Sequence, residues 1–174
     1  ESGNERVLRL MDKATTTEIM TKHLKYTADA GIWNHCMGFF GFPGETREEA
    51  WSSVEFLEQN KDYVHSLGFG TFDLGRHNPV AKNPDKFGVT AYKNPEWDLA
   101  LDYYFTVKQG LSIEEAERVF EEFERNHNPG WDLRLYIREY IFLYICKFGL
   151  QKLPDLQYRA AKLSGSTPTL AGKM

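Results

Sequence analysis

Apolar residues along this chain alternate between helical spacing and short continuous runs over the first 75 positions. Residues 5–11 and 15–30 carry apolar side chains every three or four positions, which predicts two helices. A short apolar run of Phe39, Phe40 and Phe42 predicts a strand at about residues 33–42 that is covered on both faces. Residues 47–60 return to helical spacing, and residues 67–74 predict a second strand. Strands that alternate with helices indicate a parallel sheet with right-handed crossover connections.

Short polar motifs set the predicted ends of the helices. In a capping box, a hydroxyl and a carboxylate three residues later both bond main-chain amides at the helix start. Three pairs match this motif: Thr15 with Glu18, Thr46 with Glu49, and Ser112 with Glu115. Gly31 is placed to adopt the left-handed conformation that ends a helix.

The pattern changes after residue 75. Residues 75–92 predict a long loop with two Asn-Pro turns. From residue 95 onward the spacing predicts helices alone, at residues 97–109, 112–127 and 132–148, and the last is apolar almost all round. Residues 154–174 predict a tail or linker. We therefore divide the chain into an α/β part at residues 1–92, an all-helical C-terminal segment at 93–153 and the tail at 154–174.

Composition and charge favour a single globular domain over a membrane-spanning, disulfide-rich or nucleic-acid-binding protein. The 174 residues suit one domain, and a hydrophobic fraction of 41% permits a packed core. A net charge of -4 argues against general, sequence-independent binding to nucleic acid. No apolar run approaches membrane-spanning length. Cys36 and Cys146 give no disulfide framework, and the histidines show no metal-ligand spacing. We therefore expect a cytoplasmic protein.

The candidate functional feature is the turn at the end of the first strand. Gly41 leaves room for a close approach to the backbone, and Pro43-Gly44 turns the chain sharply toward the helix. Ligands of parallel α/β sheets sit at the C-terminal ends of the strands, so we expect a binding site here. Glu45 is interpreted as a first-turn helix residue that the helix dipole favours. Another α/β enzyme could bind phosphate at this turn, but Pro43 removes one of the amides that phosphate needs.

Two motifs carry a resemblance to a known family. Residues 1–13 read Glu-Ser-Gly-Asn-Glu-Arg-Val-Leu-Arg-Leu-Met-Asp-Lys, and residues 41–49 read Gly-Phe-Pro-Gly-Glu-Thr-Arg-Glu-Glu. With Ala30-Gly31-Ile32 between them, they resemble the second half of radical S-adenosylmethionine enzymes. The match is closest to the branches that include methylthiotransferases and proteins with a cobalamin-binding domain. It covers roughly residues 1–90 and implies the C-terminal half of a partial (β/α) TIM-like barrel.

The resemblance implies a cofactor site whose metal cluster lies outside this chain. Family members cleave S-adenosylmethionine with a [4Fe-4S] cluster, which three cysteines hold in a CxxxCxxC loop. That loop would lie upstream of Glu1, so this fragment alone should be inactive, without catalytic or metal-binding residues. The resemblance assigns cofactor contacts to three strand ends: Glu1 and Ser2; Phe40, Gly41, Phe42 and Pro43; and Leu74 and Gly75. It leaves open whether cobalamin is used, and the substrate is unknown.

A second interpretation requires no catalysis. In it the chain is a non-enzymatic interaction module, whose helices from residue 95 onward dock a partner protein. The two interpretations differ in what should lie upstream of Glu1, where only the first requires a three-cysteine loop. In the first interpretation, the strand edge that the missing half-barrel leaves open predicts self-association of the chain.

Overall fold

The computed structural model describes residues 1–92, 101–126, 143–144, 146–149 and 152. The helices are α1 (Glu5–Leu10), α2 (Thr17–Asp29), α3 (Arg47–Gln59), α4 (Pro79–Lys82) and α5 (Ile113–Asn126). Two short 3₁₀ turns lie at Lys61–Tyr63 and Pro84–Phe87. The strands are β1 (His35–Phe40), β2 (Ser66–Thr71), β3 (Leu74–Gly75), β4 (Val89–Tyr92) and β5 (Asp102–Val107).

The first two strands form a parallel pair that α3 connects. Their register runs from His35 opposite Ser66 to Phe40 opposite Thr71. This confirms the predicted parallel pairing of the two apolar runs. The predicted second strand at residues 67–74 is in fact interrupted, because β2 ends at Thr71 and β3 belongs to another sheet.

Helices α3 and α5 pack against the β1–β2 pair through one apolar cluster. Phe40 lies at its centre, buried among Ala50 and Val54 of α3 and Val119 and Phe123 of α5. The rings of Phe40 and Phe123 meet edge to face, with centroids 5.7 Å apart. Phe40 therefore fixes both helices on the same strand.

A second, antiparallel sheet lies beyond the C-terminal end of β1, with strand order β3-β5-β4. Its apolar side chains pack with Phe42 from the turn after β1. The ring of Phe42 lies 5.4 Å from Phe72 and 5.9 Å from Phe87, and Phe72 lies 5.6 Å from Phe105. This aromatic cluster covers the position where the sequence predicts an accessible strand end.

The predicted helix at residues 97–109 is wrong over residues 102–107, which form β5. Helical spacing and strand alternation are easily confused in a short segment, and Asp102–Val107 is rich in aromatic and β-branched residues that favour strands. Phe105 is buried while its neighbours Tyr104 and Thr106 are exposed, which is the two-residue period of a half-buried strand. The all-helical description of the C-terminal segment therefore fails at these residues.

The predicted loop at residues 75–92 also contains regular structure. It holds α4, a 3₁₀ turn and β4, which pairs with β5 from Val89 opposite Val107 to Tyr92 opposite Tyr104. Most of the predicted helix at 132–148 and the tail at 154–174 lie outside the described residues. Both described sheets are small, so the half-barrel stays a prediction.

Two of the three predicted capping boxes are confirmed. Thr46 with Glu49 and Ser112 with Glu115 each form both reciprocal bonds. The box predicted for Thr15 with Glu18 is wrong, because Thr16 caps α2 by accepting the Ile19 amide at 3.2 Å. The cause is Glu5, whose carboxylate binds both the amide and the hydroxyl of Thr17, at 2.8 and 2.7 Å. Gly31 has the predicted left-handed conformation, with φ of 76°.

Candidate strand-end site

The turn after β1 is built on a glycine that α5 approaches closely. Gly41 has φ of 86°, and a Cβ at this position would lie 2.5 Å from the Cβ of Ala116. Both the conformation and the contact require glycine. The close approach that the sequence predicts at Gly41 is therefore made by the protein's own helix.

Glu45 is the residue of this turn that sequence reasoning misplaced. It precedes the helix cap Thr46, so it is not a first-turn residue, and its side chain is 0% exposed. The Gly41 amide donates to its Oε2 at 2.6 Å, while its Oε1 has no hydrogen-bond partner among the described residues. One signal was available in the sequence: Glu45 ends an apolar run of nine residues and stands before a strong cap.

Burial controls the acidity of this carboxyl group. It raises the pKa of Glu45 to about 7, because the charged form loses its hydration. The amides of Gly41 and Phe42 act in the opposite direction, and the effects of Glu49 and Arg6 largely oppose each other. Glu45 therefore changes charge near neutral pH, unlike an ordinary surface glutamate.

Arg6 ties α1 to the same turn. Its guanidinium binds the carboxylate of Glu49 and donates to the Gly44 carbonyl at 2.6 Å. The ion pair lowers the pKa of Glu49 and raises that of Arg6. A separate ion pair, Arg47 with Glu122, links α3 to α5. Arg6 thus binds the turn from α1, and the Arg47–Glu122 pair links the helices that pack beside the turn.

The segment that contains Glu1 and Ser2 lies along the edge of β1. The Phe39 amide donates to the Glu1 carbonyl at 3.4 Å. Ser2 is buried, and its hydroxyl lies 3.1 Å from that of Ser53 on α3, which also accepts the Gly3 amide at 2.9 Å. The Glu1 carboxylate pairs with Lys13 at 2.7 Å. Ser2 therefore anchors the segment, and Glu1 extends toward solvent.

The structure brings some of the predicted cofactor contacts together and separates others. Phe42 and Leu74 both belong to the apolar cluster of the antiparallel sheet, and Gly75 pairs with Asp102 of β5. Gly41 and Pro43 flank Phe42 in the chain. Phe40 belongs instead to the cluster that α3 and α5 form on the β1–β2 pair. Phe39, to which the resemblance assigned no cofactor contact, is the β1 aromatic that packs with the cluster of the antiparallel sheet.

These residues do not form an open adenine pocket as they are packed here. Phe40, Phe42, Pro43 and Leu74 are all buried, so none presents a free apolar face to a ring. The Gly41 amide is already bonded to Glu45. S-adenosylmethionine therefore does not fit the predicted wall in this arrangement.

A cleft of about 310 Å³ lies elsewhere, between α2, α3 and β1. Apolar side chains dominate its walls, including Met20 and Leu24 from α2 and Phe56 from α3. It borders Glu1 and Ser2, so two of the predicted cofactor residues face it, and burial raises the pKa of the Cys36 thiol beside it. Within the described ranges, no group of three or more His, Cys, Asp or Glu residues is arranged to hold a metal.

No protein-family model and no curated protein matches this chain. None of the helices in the described part of the chain is both long enough and apolar enough to cross a membrane.

Proposed function

We propose that this chain is the cofactor-side half of a radical S-adenosylmethionine barrel. The parent enzyme would cleave the cofactor reductively with a [4Fe-4S] cluster and start radical chemistry on a substrate. The observation that carries the proposal is the unit of β1, α3 and β2, in which β1 runs parallel to β2 and leads into a Gly-Phe-Pro-Gly turn. Such a unit is the repeating element of β/α barrels.

The position of Glu1 and Ser2 supports the same proposal. The Glu1 carbonyl meets the Phe39 amide on the edge of β1 that faces away from β2. A preceding barrel strand would end at this position. The packing of Phe42 and Leu74 argues against a preformed adenine wall, so the proposal requires the missing neighbours to change that packing.

The decisive experiment begins with the coding sequence upstream of Glu1. A CxxxCxxC motif there supports the proposal, and its absence contradicts it. The longer protein would then be purified anaerobically and reconstituted with iron and sulfide. We expect an electron paramagnetic resonance signal of the reduced cluster that S-adenosylmethionine alters, and formation of 5'-deoxyadenosine. A cluster that releases no 5'-deoxyadenosine under reducing conditions would contradict the assigned reaction.

The alternative is a non-enzymatic interaction module, and one observation favours it. Helix α2 has 13 residues, yet none of them is buried. Helices usually bury an apolar face, so a partner that covers α2 would complete its packing. This alternative predicts no three-cysteine loop upstream, which the same sequence determination tests.

A further inference from the structure

We propose that Glu45 is a proton-dependent latch, which holds the start of α5 on the turn after β1 while it is protonated and loosens that contact when it ionises. The inference rests on the packing of Glu45 and does not depend on the proposed function. It concerns a contact between two parts of the described chain, the turn at residues 41–45 and the entry to α5 at residues 110–116.

The latch depends on the buried carboxyl group of Glu45, whose two oxygens differ in their hydrogen bonds. Its Oε2 accepts the Gly41 amide at 2.6 Å, whereas its Oε1 is buried without a hydrogen-bond partner in the described part of the chain. An ionised carboxylate would leave that oxygen charged and buried without a compensating hydrogen bond, which is costly. A protonated carboxyl carries no net charge and keeps the Gly41 bond. The closed arrangement therefore favours the protonated form.

The same residue holds the entry to α5 through its main chain. The Leu111 amide donates to the Glu45 carbonyl at 2.8 Å. A Cβ at Gly110 would lie 2.7 Å from that carbonyl oxygen and 2.8 Å from the Gly44 backbone. Ala116 of α5 presses on Gly41 in turn. The α5 entry and the turn are therefore in close contact, and in the latch an opening of this contact exposes the Glu45 carboxylate to water.

Charged groups on the surrounding elements do not neutralise Glu45. From α1, Arg6 is engaged by Glu49 and by the Gly44 carbonyl. From α3, Glu49 adds a negative charge. From α5, the first turn brings Glu114 and Glu115, and Glu115 is bonded to the Ser112 amide. Arg47, the first residue of α3, is paired with Glu122 of α5.

The direction of the pH effect follows from proton linkage. The closed state binds the Glu45 proton with a pKa of about 7, against the ordinary value of 4.5 once the group is hydrated. The closed contact is therefore strongest below pH 4.5 and weakens as the pH rises toward 7. Over that range the opening equilibrium rises by up to about tenfold per pH unit, and it levels off above pH 7.

Amide hydrogen exchange in the full chain tests the latch. Protection of the Leu111 amide is measured at pH 5 and pH 8 and corrected for intrinsic exchange rates. We compare wild type with Glu45→Gln, which cannot ionise, and with Glu48→Gln, which alters an exposed carboxylate in the first turn of α3. In wild type and Glu48→Gln, we expect opening to rise by about 70-fold between the two pH values. In Glu45→Gln it should change by no more than about twofold.

Two outcomes would overturn the proposal: wild-type protection that does not depend on pH, or the same pH dependence in Glu45→Gln. If Glu45→Gln does not fold, the ¹³C carboxyl signal of Glu45 in wild type decides. A midpoint near 7 that coincides with a change in the Leu111 amide signal supports the latch. A midpoint near 4.5, or a Leu111 signal that does not follow the titration, refutes it.

Discussion

Single residues in the turn after β1 have conformations that no other residue type would adopt as easily. Gly41 combines φ of 86° with a contact that leaves no space for a Cβ. On β2, Gly70 is the opposite case, because a Cβ there would meet nothing within 4 Å. The two glycines look equivalent in the sequence, where each lies next to a phenylalanine or threonine of a strand. Only the structure distinguishes them.

We expect Gly41→Ala to destabilise the protein by about 2–4 kcal/mol, since it adds both backbone strain and an overlap with Ala116. Gly70→Ala is the matched control and should stay within about 1 kcal/mol of wild type. Chemical denaturation of both variants measures the free energy of unfolding. Equal effects of the two substitutions would show that the α5 contact at Gly41 contributes nothing.

Glu45 illustrates what residue patterns could and could not reveal. The Thr46–Glu49 capping box was predictable because its members are three residues apart in the chain. The turn that contains the buried Glu45 is packed against Leu111 and Ala116, which are more than sixty positions away. Local spacing carries no information about such a partner, so the sequence assigned Glu45 to the helix surface.

At the scale of elements, the start of a helix also depends both on local residue types and on contacts with distant residues. Both Thr15 and Thr16 are acceptable caps by residue type, and either one can begin the helical pattern. The structure selects Thr16, because Glu5 binds Thr17 and fixes the preceding chain. The one-residue error at α2 thus has a tertiary cause.

Substitution of the two threonines tests this assignment. We expect Thr16→Ala to weaken the first turn of α2 by about 1 kcal/mol, because it removes the acceptor of the Ile19 amide. Thr15→Ala should change stability by less than about 0.5 kcal/mol. Protection of amides 18–21 against exchange measures the local effect. A larger loss of protection in Thr15→Ala than in Thr16→Ala would show that Thr15 caps α2, as the sequence predicts.

Strands β3 and β4 were beyond sequence prediction for a physical reason. β3 has two residues and β4 has four, so neither offers enough alternation to identify a strand. Their pairing with β5 joins segments that are separated along the chain. The β1, α3 and β2 unit was predictable because each element is long enough to show its own period.

At the scale of the whole molecule, the cysteines limit the chemistry that the chain supports alone. Cys36 lies half-buried in β1, and Cys146 is exposed. A [4Fe-4S] cluster is usually held by several cysteine thiolates, and this chain has two. We therefore expect anaerobic reconstitution of the 174-residue chain to yield no stable cluster. A persistent [4Fe-4S] absorption band with a matching iron count would contradict this expectation.

The edge of β1 that faces away from β2 affects the behaviour of the whole chain. Glu1 bonds Phe39 there, but no described strand pairs with this edge. Met37 is 65% exposed in the middle of the strand, and Ile19 on the neighbouring α2 is 45% exposed. An uncovered strand edge beside apolar side chains is a template for pairing with another chain.

We expect the isolated chain to self-associate through this edge, so that its mean mass in sedimentation equilibrium rises with concentration. Met37→Lys should shift the chain toward monomer, because a charge on an exposed strand opposes edge-to-edge pairing. Leu101→Lys is the matched control: Leu101 is 77% exposed but lies just before β5, so this variant should associate like wild type. A wild-type chain that stays monomeric at high concentration and melts cooperatively would show that the edge needs no partner. The proposed half-barrel would then be wrong, because a barrel strand that has lost its neighbouring strand should not be stable in water unless another chain covers its edge.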